Sequence, residues 1–315
     1  MRTIRRLAYA ALIIGFIHTV FGAIVRITGS GLGCGNHWPD CNSQLFPSVG
    51  VTSTVLIEYT HRLLAATLLA TVIALVVLTS RDARARGVRG PARLALALVL
   101  TAAIVGAIVV KFDLASRLVV LHYGIAMLTL ATLVAAVVRA GGFGASELVP
   151  AATTARTYRG ARIAAVMAFI VVLFGAATAN VPGAAQSCQG FPACRTILLH
   201  GAPLHTQITH RVLAFLLLFH VFGVALGTRK RETDRRIVLA SQLAFSVIVL
   251  QVLVAAALVE MHLPPALQSL HQAVGTLVWV TIFTFAALAR VGAGVDVDVA
   301  PAADAVPVAQ PAAAS

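Results

Sequence analysis

The chain has 315 residues, of which 59% are hydrophobic and only 11% are charged. A soluble domain of this length does not need so much apolar surface, and long uncharged stretches are typical of segments that cross a lipid bilayer. The formal net charge of +13 raises nucleic-acid binding as an alternative. However, the basic residues cluster between the apolar runs, as they do in multispanning proteins. We therefore predict a membrane protein that does not bind nucleic acid.

Apolar stretches long enough to span the bilayer follow one another along most of the chain. A hydrocarbon core about 30 Å thick needs roughly 20 residues of helix. The first stretch follows several arginines and resembles a signal peptide, but its apolar run is longer than a typical signal, so we expect it to be retained. The pattern predicts an all-α integral membrane protein with eight spans, at residues 7–27, 56–79, 93–111, 118–138, 162–181, 205–227, 237–259 and 269–290.

The distribution of lysine and arginine predicts the orientation of these spans. Basic residues concentrate at the N-terminus, in the 80–93 loop, in the 139–162 segment and in the 228–236 loop. Such clusters mark the cytoplasmic side of a membrane protein. Both termini are therefore predicted to be cytoplasmic, and the loops that contain the cysteines are predicted to be extracytoplasmic.

The first outward loop contains Cys34 and Cys41. Disulfides persist outside the cytoplasmic membrane, so a bridge within this loop is expected. It would hold the loop over whatever site lies beneath it, and a redox role is the alternative. Cys34, His37 and Cys41 can also be interpreted as a metal trio, but no fourth ligand is evident.

The second predicted helix carries Glu58, His61 and Arg62 in its first turns. A separation of three residues places Glu58 and His61 on one helix face, so both can address the same ligand. A carboxylate is also favoured near a helix N-terminus, which makes a capping role the alternative for Glu58. Arg62 is a candidate partner for a ligand carboxylate, and capping of local carbonyl groups is its alternative.

The fourth predicted helix carries His122 in its first turns and runs in the same direction as the second. Because a helix rises about 1.5 Å per residue, His61 and His122 are expected at similar depths. Ionisable side chains are costly against lipid, so both should point into the bundle. Two facing imidazoles suit axial ligation of heme iron. Hydrogen-bonded core histidines are the alternative, and zinc would be short of ligands.

Two four-helix halves, residues 1–140 and 162–290, are predicted on either side of a cytoplasmic linker at 141–161. The halves share motifs that lie 149 residues apart: Thr60-His61-Arg62 returns as Thr209-His210-Arg211, and Leu121-His122 returns as Leu270-His271. A repeat of this kind predicts a second heme site. Four spans per repeat imply parallel repeats, related by a pseudo-twofold axis along the membrane normal.

The halves disagree at one position, where Glu58 of the first half is matched by Gln207. A glutamine cannot accept a proton or stabilise a developing cation as a carboxylate can. The difference predicts chemistry in the first half and a resident cofactor in the second. Arg62 and Arg211 repeat as candidate contacts of heme propionates. Cys188 and Cys194, in the second outward loop, are expected to form a structural bridge.

The remaining histidines do not repeat at this offset, and we interpret them as structural or interfacial. The tail at 291–315 is rich in alanine, proline and valine, lacks helical patterning and is predicted to be disordered. The histidines in question are His18, His37, His200, His205, His220 and His262.

Taken in order, these motifs resemble the heme A synthase (CtaA) family. The resemblance rests on Glu58-Tyr59-Thr60-His61-Arg62, on the three later histidines of the repeat and on the paired outer-loop cysteines, and it covers residues 7–290. It implies an oxidoreductase of the bacterial cell membrane. The implied reaction oxidises the C8 methyl group of heme O to a formyl group by successive hydroxylations, giving heme A for terminal oxidases.

The resemblance also implies roles for individual residues. His210 and His271 would be axial ligands of a resident heme b, and His61 and His122 would flank the substrate heme beside the catalytic Glu58. Of the cysteines, the first pair matches one associated with redox or heme transfer. The implied partners are heme O, a heme O synthase as donor and a membrane electron carrier such as a quinone. A homo-oligomer is a further expectation.

Three other functions use parts of the same pattern. A membrane b-type cytochrome that takes electrons from quinol would use the four histidines but would need no special role for Glu58. A heme carrier or exporter would use the histidines as transient ligands. A thiol–quinone oxidoreductase would explain the cysteines and leave the paired histidines without a role.

Overall fold

The computed structural model describes residues 1–44, 46–48, 51–295 and 299. Within these residues the chain forms eight long helices, and the two longest connections, between α1 and α2 and between α5 and α6, contain the cysteines. Each helix is long and apolar enough to cross a membrane, which confirms the predicted all-α integral membrane fold. The helices are α1 (Arg2–Ile27), α2 (Ser53–Arg81), α3 (Arg86–Lys111), α4 (Ser116–Arg139), α5 (Ala155–Asn180), α6 (Ala202–Arg231), α7 (Arg235–Glu260) and α8 (Pro265–Gly292).

Capping side chains explain why several helices begin before the predicted spans. The Thr52 side chain accepts a hydrogen bond from the Val55 amide at the start of α2. Thr154 does the same for the Thr157 amide at the start of α5, which therefore begins inside the predicted linker. Side-chain oxygens satisfy amides that have no partner within the helix, so polar flanks extend each helix beyond its apolar run.

The pattern of helix packing is the same in the two halves. In the first half α1 packs against α2 and α4, and α3 packs against α2 and α4. In the second half α5 packs against α6 and α8, and α7 packs against α6 and α8. Between the halves α4 contacts α8, while α1 reaches α8 and α5 reaches α4. The second histidine-bearing helix of each half therefore lies at the interface between the halves.

Buried contacts between α4 and α8 join the halves. The Trp279 indole N–H donates to the Met127 carbonyl oxygen at 2.8 Å. Nearer the outer end, the Gln272 amide donates to the Tyr123 hydroxyl at 2.7 Å. These two residues directly follow His271 and His122, so the hydrogen bond connects the two histidine-bearing helices across the interface.

The surface of the bundle is apolar, as contact with lipid requires. Ile13, Phe219 and Leu253 are each more than half exposed. The predicted disordered tail begins at 291, whereas α8 continues to Gly292. Residues 296–298 and 300–315 lie outside the described residues, so the prediction of disorder for them stays a prediction.

Candidate heme sites

The second half encloses a cavity of about 460 Å³ between its four helices. This volume is within the range of roughly 300–1,000 Å³ common for cofactor pockets. Both predicted ligands of this half, His210 on α6 and His271 on α8, line it. Most of the other lining side chains are apolar, including Phe215, Ile248 and Val252. The structure therefore brings the two predicted histidines together around one largely apolar space.

Each of these histidines is held by a neighbouring helix. His210 packs against Gly175 of α5, where an added Cβ would lie 3.0 Å from the imidazole Cε1. His271 lies against Gln251 of α7, whose amide nitrogen is 3.1 Å from the imidazole Nδ1 and also donates to the His271 carbonyl oxygen at 3.1 Å. The first half has Ala102 at the equivalent position and therefore lacks the side-chain amide of Gln251. Sequence reasoning missed this residue.

In the first half, His61 packs against α1 and His122 against α3. An added Cβ at Gly22 would lie 3.1 Å from Cε1 of His61, and one at Gly106 would lie 3.2 Å from Cε1 of His122. Gly22 and Gly175 occupy the same position in the repeated Phe-Gly-Ala motif, so the first histidine of each half packs against an equivalent glycine.

In the first half a third histidine lies beside the predicted pair, although it does not repeat in the second half. His18 of α1 stacks on His61, with ring centroids 4.3 Å apart and an interplanar angle of 26°. Its position one helical turn before Gly22 explains the contact, since residues four apart share a helix face. The Phe-Gly-Ala repeat matches His18 to Val171, which lines the second cavity. The two sites therefore differ at His18 as well as at Glu58.

Glu58 and Gln207 are both buried, with 4% of their surface exposed, and both contact the cysteine loop of their own half. Glu58 accepts a hydrogen bond from the Cys34 amide at 2.8 Å and pairs with Arg62 at 2.5 Å. Gln207 instead donates to the carbonyl oxygens of Ala185 and Cys188, at 3.0 and 3.3 Å. The exchange of glutamate for glutamine thus matches a change from a loop donor to loop acceptors.

The two arginines after the histidines bind the same loops. Arg62 donates to the carbonyl oxygens of Asp40 and Pro39, at 2.7 and 3.3 Å. Arg211 donates to those of Gly190 at 2.6 Å, Cys188 at 2.9 Å and Pro192 at 3.4 Å. These contacts agree with the alternative in which each arginine caps local carbonyl groups. The role of the two arginines in binding propionates stays a prediction.

Both predicted disulfides are present. Cys34 and Cys41 are bonded with their Cα atoms 4.4 Å apart, and Cys188 and Cys194 with theirs 5.4 Å apart. The first bridge is buried beneath its loop, while the second starts from a two-stranded antiparallel ribbon in which β1 (Cys188–Gln189) pairs with β2 (Thr196–Ile197). Because both sulfurs of the first loop are bonded, they are not thiolate ligands for a metal trio with His37.

The remaining predicted histidines lie away from the two sites. His220 places Nε2 3.0 Å from the Gly160 carbonyl oxygen, a contact that ties α6 to α5. Four others are exposed in the loops or at helix ends, and only His18 of the group enters a site. The four are His37, His200, His205 and His262.

In both sites, imidazole nitrogen atoms lack a partner within the protein and are available to bind a ligand. Nδ1 of His61, His122 and His210 is buried, and each lacks a hydrogen-bond partner among the described residues. Buried polar atoms normally have partners, and an unsatisfied one costs about 1–3 kcal/mol. A cavity with an apolar body and imidazoles on facing helices matches the needs of a bis-histidine heme.

The close packing of a histidine against a glycine in each half gives a testable pair of variants. Gly175→Ala should displace His210 by several tenths of an ångström and weaken heme binding in the second half about tenfold, because overpacking costs roughly 1–3 kcal/mol. Gly22→Ala should act in the same way on the first half. Absorbance of the purified protein measures bound heme.

The matched control for these variants is Gly223→Ala on α6, where an added Cβ meets no atom within 4 Å. It should retain wild-type heme content. If Gly175→Ala also binds heme as tightly as wild type, the contact with His210 does not determine ligand geometry.

Eight spanning helices, with one histidine pair in each half and one pair lining a cofactor-sized cavity, define a polytopic membrane protein of the heme-binding class. The chain belongs to the COX15-CtaA family, described as a cytochrome oxidase assembly protein, whose model matches residues 49–283.

Individual relatives agree with this assignment. The heme A synthase of Bacillus licheniformis is 27% identical over 236 residues, which cover 73% of this chain and 77% of that protein. The heme A synthase of Halalkalibacterium halodurans is 30% identical over 218 residues, covering 68% and 72%. A protoheme IX farnesyltransferase of Thermus thermophilus is 40% identical over 106 residues, which cover 33% of this chain but only 17% of that protein.

Proposed function

We propose that this protein is a heme A synthase, which oxidises the C8 methyl group of heme O to a formyl group. The observation that carries the proposal is the cavity of the second half, where His210 and His271 line one apolar space. Membership of the COX15-CtaA family and the similarity to heme A synthases over most of the chain support it.

The two halves have different roles in this proposal. His210 and His271 hold a resident heme b in the second half, which supplies a centre that exchanges single electrons. His61 and His122 hold the substrate heme O in the first half. The support for this division is that Glu58 and His18 occur only in the first half, whereas the second has Gln207 and Val171 at the equivalent positions.

Glu58 is the proposed catalytic residue. Conversion of a methyl to a formyl group is a four-electron oxidation that also releases protons, and a carboxylate near the methyl carbon can accept one or stabilise a developing positive charge. Glu58 lies one helical turn before His61, buried beneath the bridged loop. Arg62 pairs with one carboxylate oxygen at 2.5 Å and so holds the Glu58 side chain in place,.

The proposed setting is the bacterial cell membrane, with cytoplasmic termini and extracytoplasmic cysteine loops, as the distribution of basic residues indicates. A heme O synthase is the proposed donor of substrate. The resemblance of part of the chain to a protoheme IX farnesyltransferase supports that association. A membrane electron carrier, such as a quinone, completes the proposed reaction.

A membrane b-type cytochrome is the second candidate, and one observation favours it. Both carboxylate oxygens of Glu58 already have partners, one in the Cys34 amide and one in Arg62. A residue of this kind can serve as a loop anchor, and a cytochrome would require nothing more of it.

Co-expression with an enzyme that produces heme O, followed by chromatography of the extracted hemes, distinguishes the two candidates. A heme A synthase yields a formyl heme that is absent from cells carrying an empty vector. Persistent heme O together with a normal b-type spectrum of the purified protein would rule out the synthase and favour the cytochrome.

A further inference from the structure

The cavity of the second half receives a cationic side chain from the first half. Arg26, in the last turn of α1, lines this cavity together with His210 and His271. The first half therefore contributes to the site of the second.

The guanidinium of Arg26 is only partly satisfied by the protein. One of its five N–H groups donates to the Ala179 carbonyl oxygen at 3.3 Å,. Among the described residues, no carboxylate lies within ion-pair distance of Arg26. A partly buried guanidinium at the edge of a membrane-spanning bundle is costly unless an anion accompanies it.

Arg211 lines the same cavity but is already committed to its loop. Its guanidinium donates to three loop carbonyl oxygens, the shortest contact being 2.6 Å. Arg26 makes a single, longer hydrogen bond. Of the two arginines, Arg26 therefore has more donors free for a ligand.

Two uncharged polar side chains of the cavity lie at the same end as Arg26. Asn180 at the end of α5 and Gln268 in the first turns of α8 both line it there. Gln268 is one turn nearer the helix start than His271, and most of the side chains that line the space farther along the helices are apolar. A ligand with an apolar body and carboxylates at one edge matches this division, and a tetrapyrrole with two propionates has that form.

The repeat contains no second cation equivalent to Arg26. The Phe-Gly-Ala motif repeats 153 residues along the chain, and this offset matches Arg26 to Ala179, the residue whose carbonyl oxygen it contacts. A cation here is therefore available to only one of the two sites. That difference suits a cofactor that stays bound in the second half, beside a substrate and product that must leave the first.

We infer that Arg26 binds a propionate of the tetrapyrrole in the second half and so anchors it across the interface between the halves. This inference rests on the proposed function only in requiring a heme at His210 and His271. According to this inference, the propionate contact is made by Arg26 of the first half and not by Arg211.

Binding of iron protoporphyrin IX and of its dimethyl ester tests the inference, because esterification removes both carboxylates. The full-length protein, depleted of heme and purified in detergent, is titrated with each compound by absorbance. Wild type should bind the free acid roughly tenfold more tightly than the ester, as loss of a charge-assisted hydrogen bond predicts. Arg26→Gln should remove that preference for one equivalent of heme.

Two further variants complete the test. Arg26→Lys keeps the charge and should retain most of the preference, even if Arg26→Gln proves poorly folded. Arg117→Gln removes an exposed arginine at the start of α4, on the same side of the bundle as Arg26. This variant should behave as wild type. An unchanged acid-to-ester ratio in Arg26→Gln, or an equal loss in Arg26→Gln and Arg26→Lys, would overturn the inference. Failure of wild type to bind either compound would overturn the proposed heme site itself.

Discussion

Replacement of Glu58 with glutamine is expected to abolish the formation of formyl heme while leaving heme bound. Glutamine retains an oxygen that can accept the Cys34 amide, so the loop keeps its contact with α2. It cannot take up a proton or balance a positive charge, and loss of a general base costs roughly 10²–10⁴-fold in rate. Chromatography of extracted hemes measures the reaction, and absorbance of the purified variant measures bound heme.

The ion pair between Glu58 and Arg62 supplies the control for this variant. Arg62→Gln breaks the same pair but leaves the carboxylate in place. If Glu58 acts only by anchoring the loop, the two variants should lower product formation equally. A much larger loss in Glu58→Gln would assign the carboxylate to the chemistry. Loss of all bound heme from Glu58→Gln would count against a catalytic role.

Replacement of His271 with alanine is expected to remove about one heme equivalent per chain and to abolish product formation, because His271 would supply one of the two imidazoles that hold the heme. His271 lines the cavity together with His210, and no other histidine of the described residues lines it. Gln251, its neighbour, offers only an amide. Heme content from absorbance, measured with and without added imidazole, tests this expectation, since imidazole can occupy the vacated position.

His220→Ala is the matched control on the neighbouring helix α6. His220 contacts the Gly160 carbonyl oxygen and does not line the cavity, so its loss should lower stability by about 1 kcal/mol and leave heme content unchanged. A His271→Ala protein with full heme content and an unaltered spectrum would remove this residue from the ligand set.

The buried connection between the halves gives these variants a common structural context. Tyr123 and Gln272 follow the second histidine of each half and hydrogen bond to each other at 2.7 Å. Tyr123 also lines the cavity that contains His271. A displacement of one histidine-bearing helix is therefore expected to affect the other helix through this contact.

The fold was predictable because membrane helices are specified locally. Lipid cannot satisfy backbone N–H and C=O groups, so an apolar run of sufficient length must become a helix. Each predicted span accordingly coincides with one helix, and the main differences are capped extensions such as the start of α5 at Ala155. The repeated histidines were predictable for a related reason, since their depth follows from position along the helix.

The neighbours of those histidines were not predictable, because side-chain partners depend on how helices pack. Periodicity places His18 on a helix face but does not say that His61 stacks on it. In the same way the sequence leaves open whether Arg62 and Arg211 bind propionates or local carbonyl groups, and only the folded loops place carbonyl oxygens beside them.

By itself, the sequence determined that this protein has eight spans and two histidine pairs, because burial in lipid and helical rise act on consecutive residues. The tertiary structure decided which space those histidines enclose and which other side chains reach it. Arg26 illustrates the difference, since it belongs to the first half of the chain but lines the cavity of the second. Such a contact is set by the packing of α1 beside the other half, and no pattern along one helix specifies it.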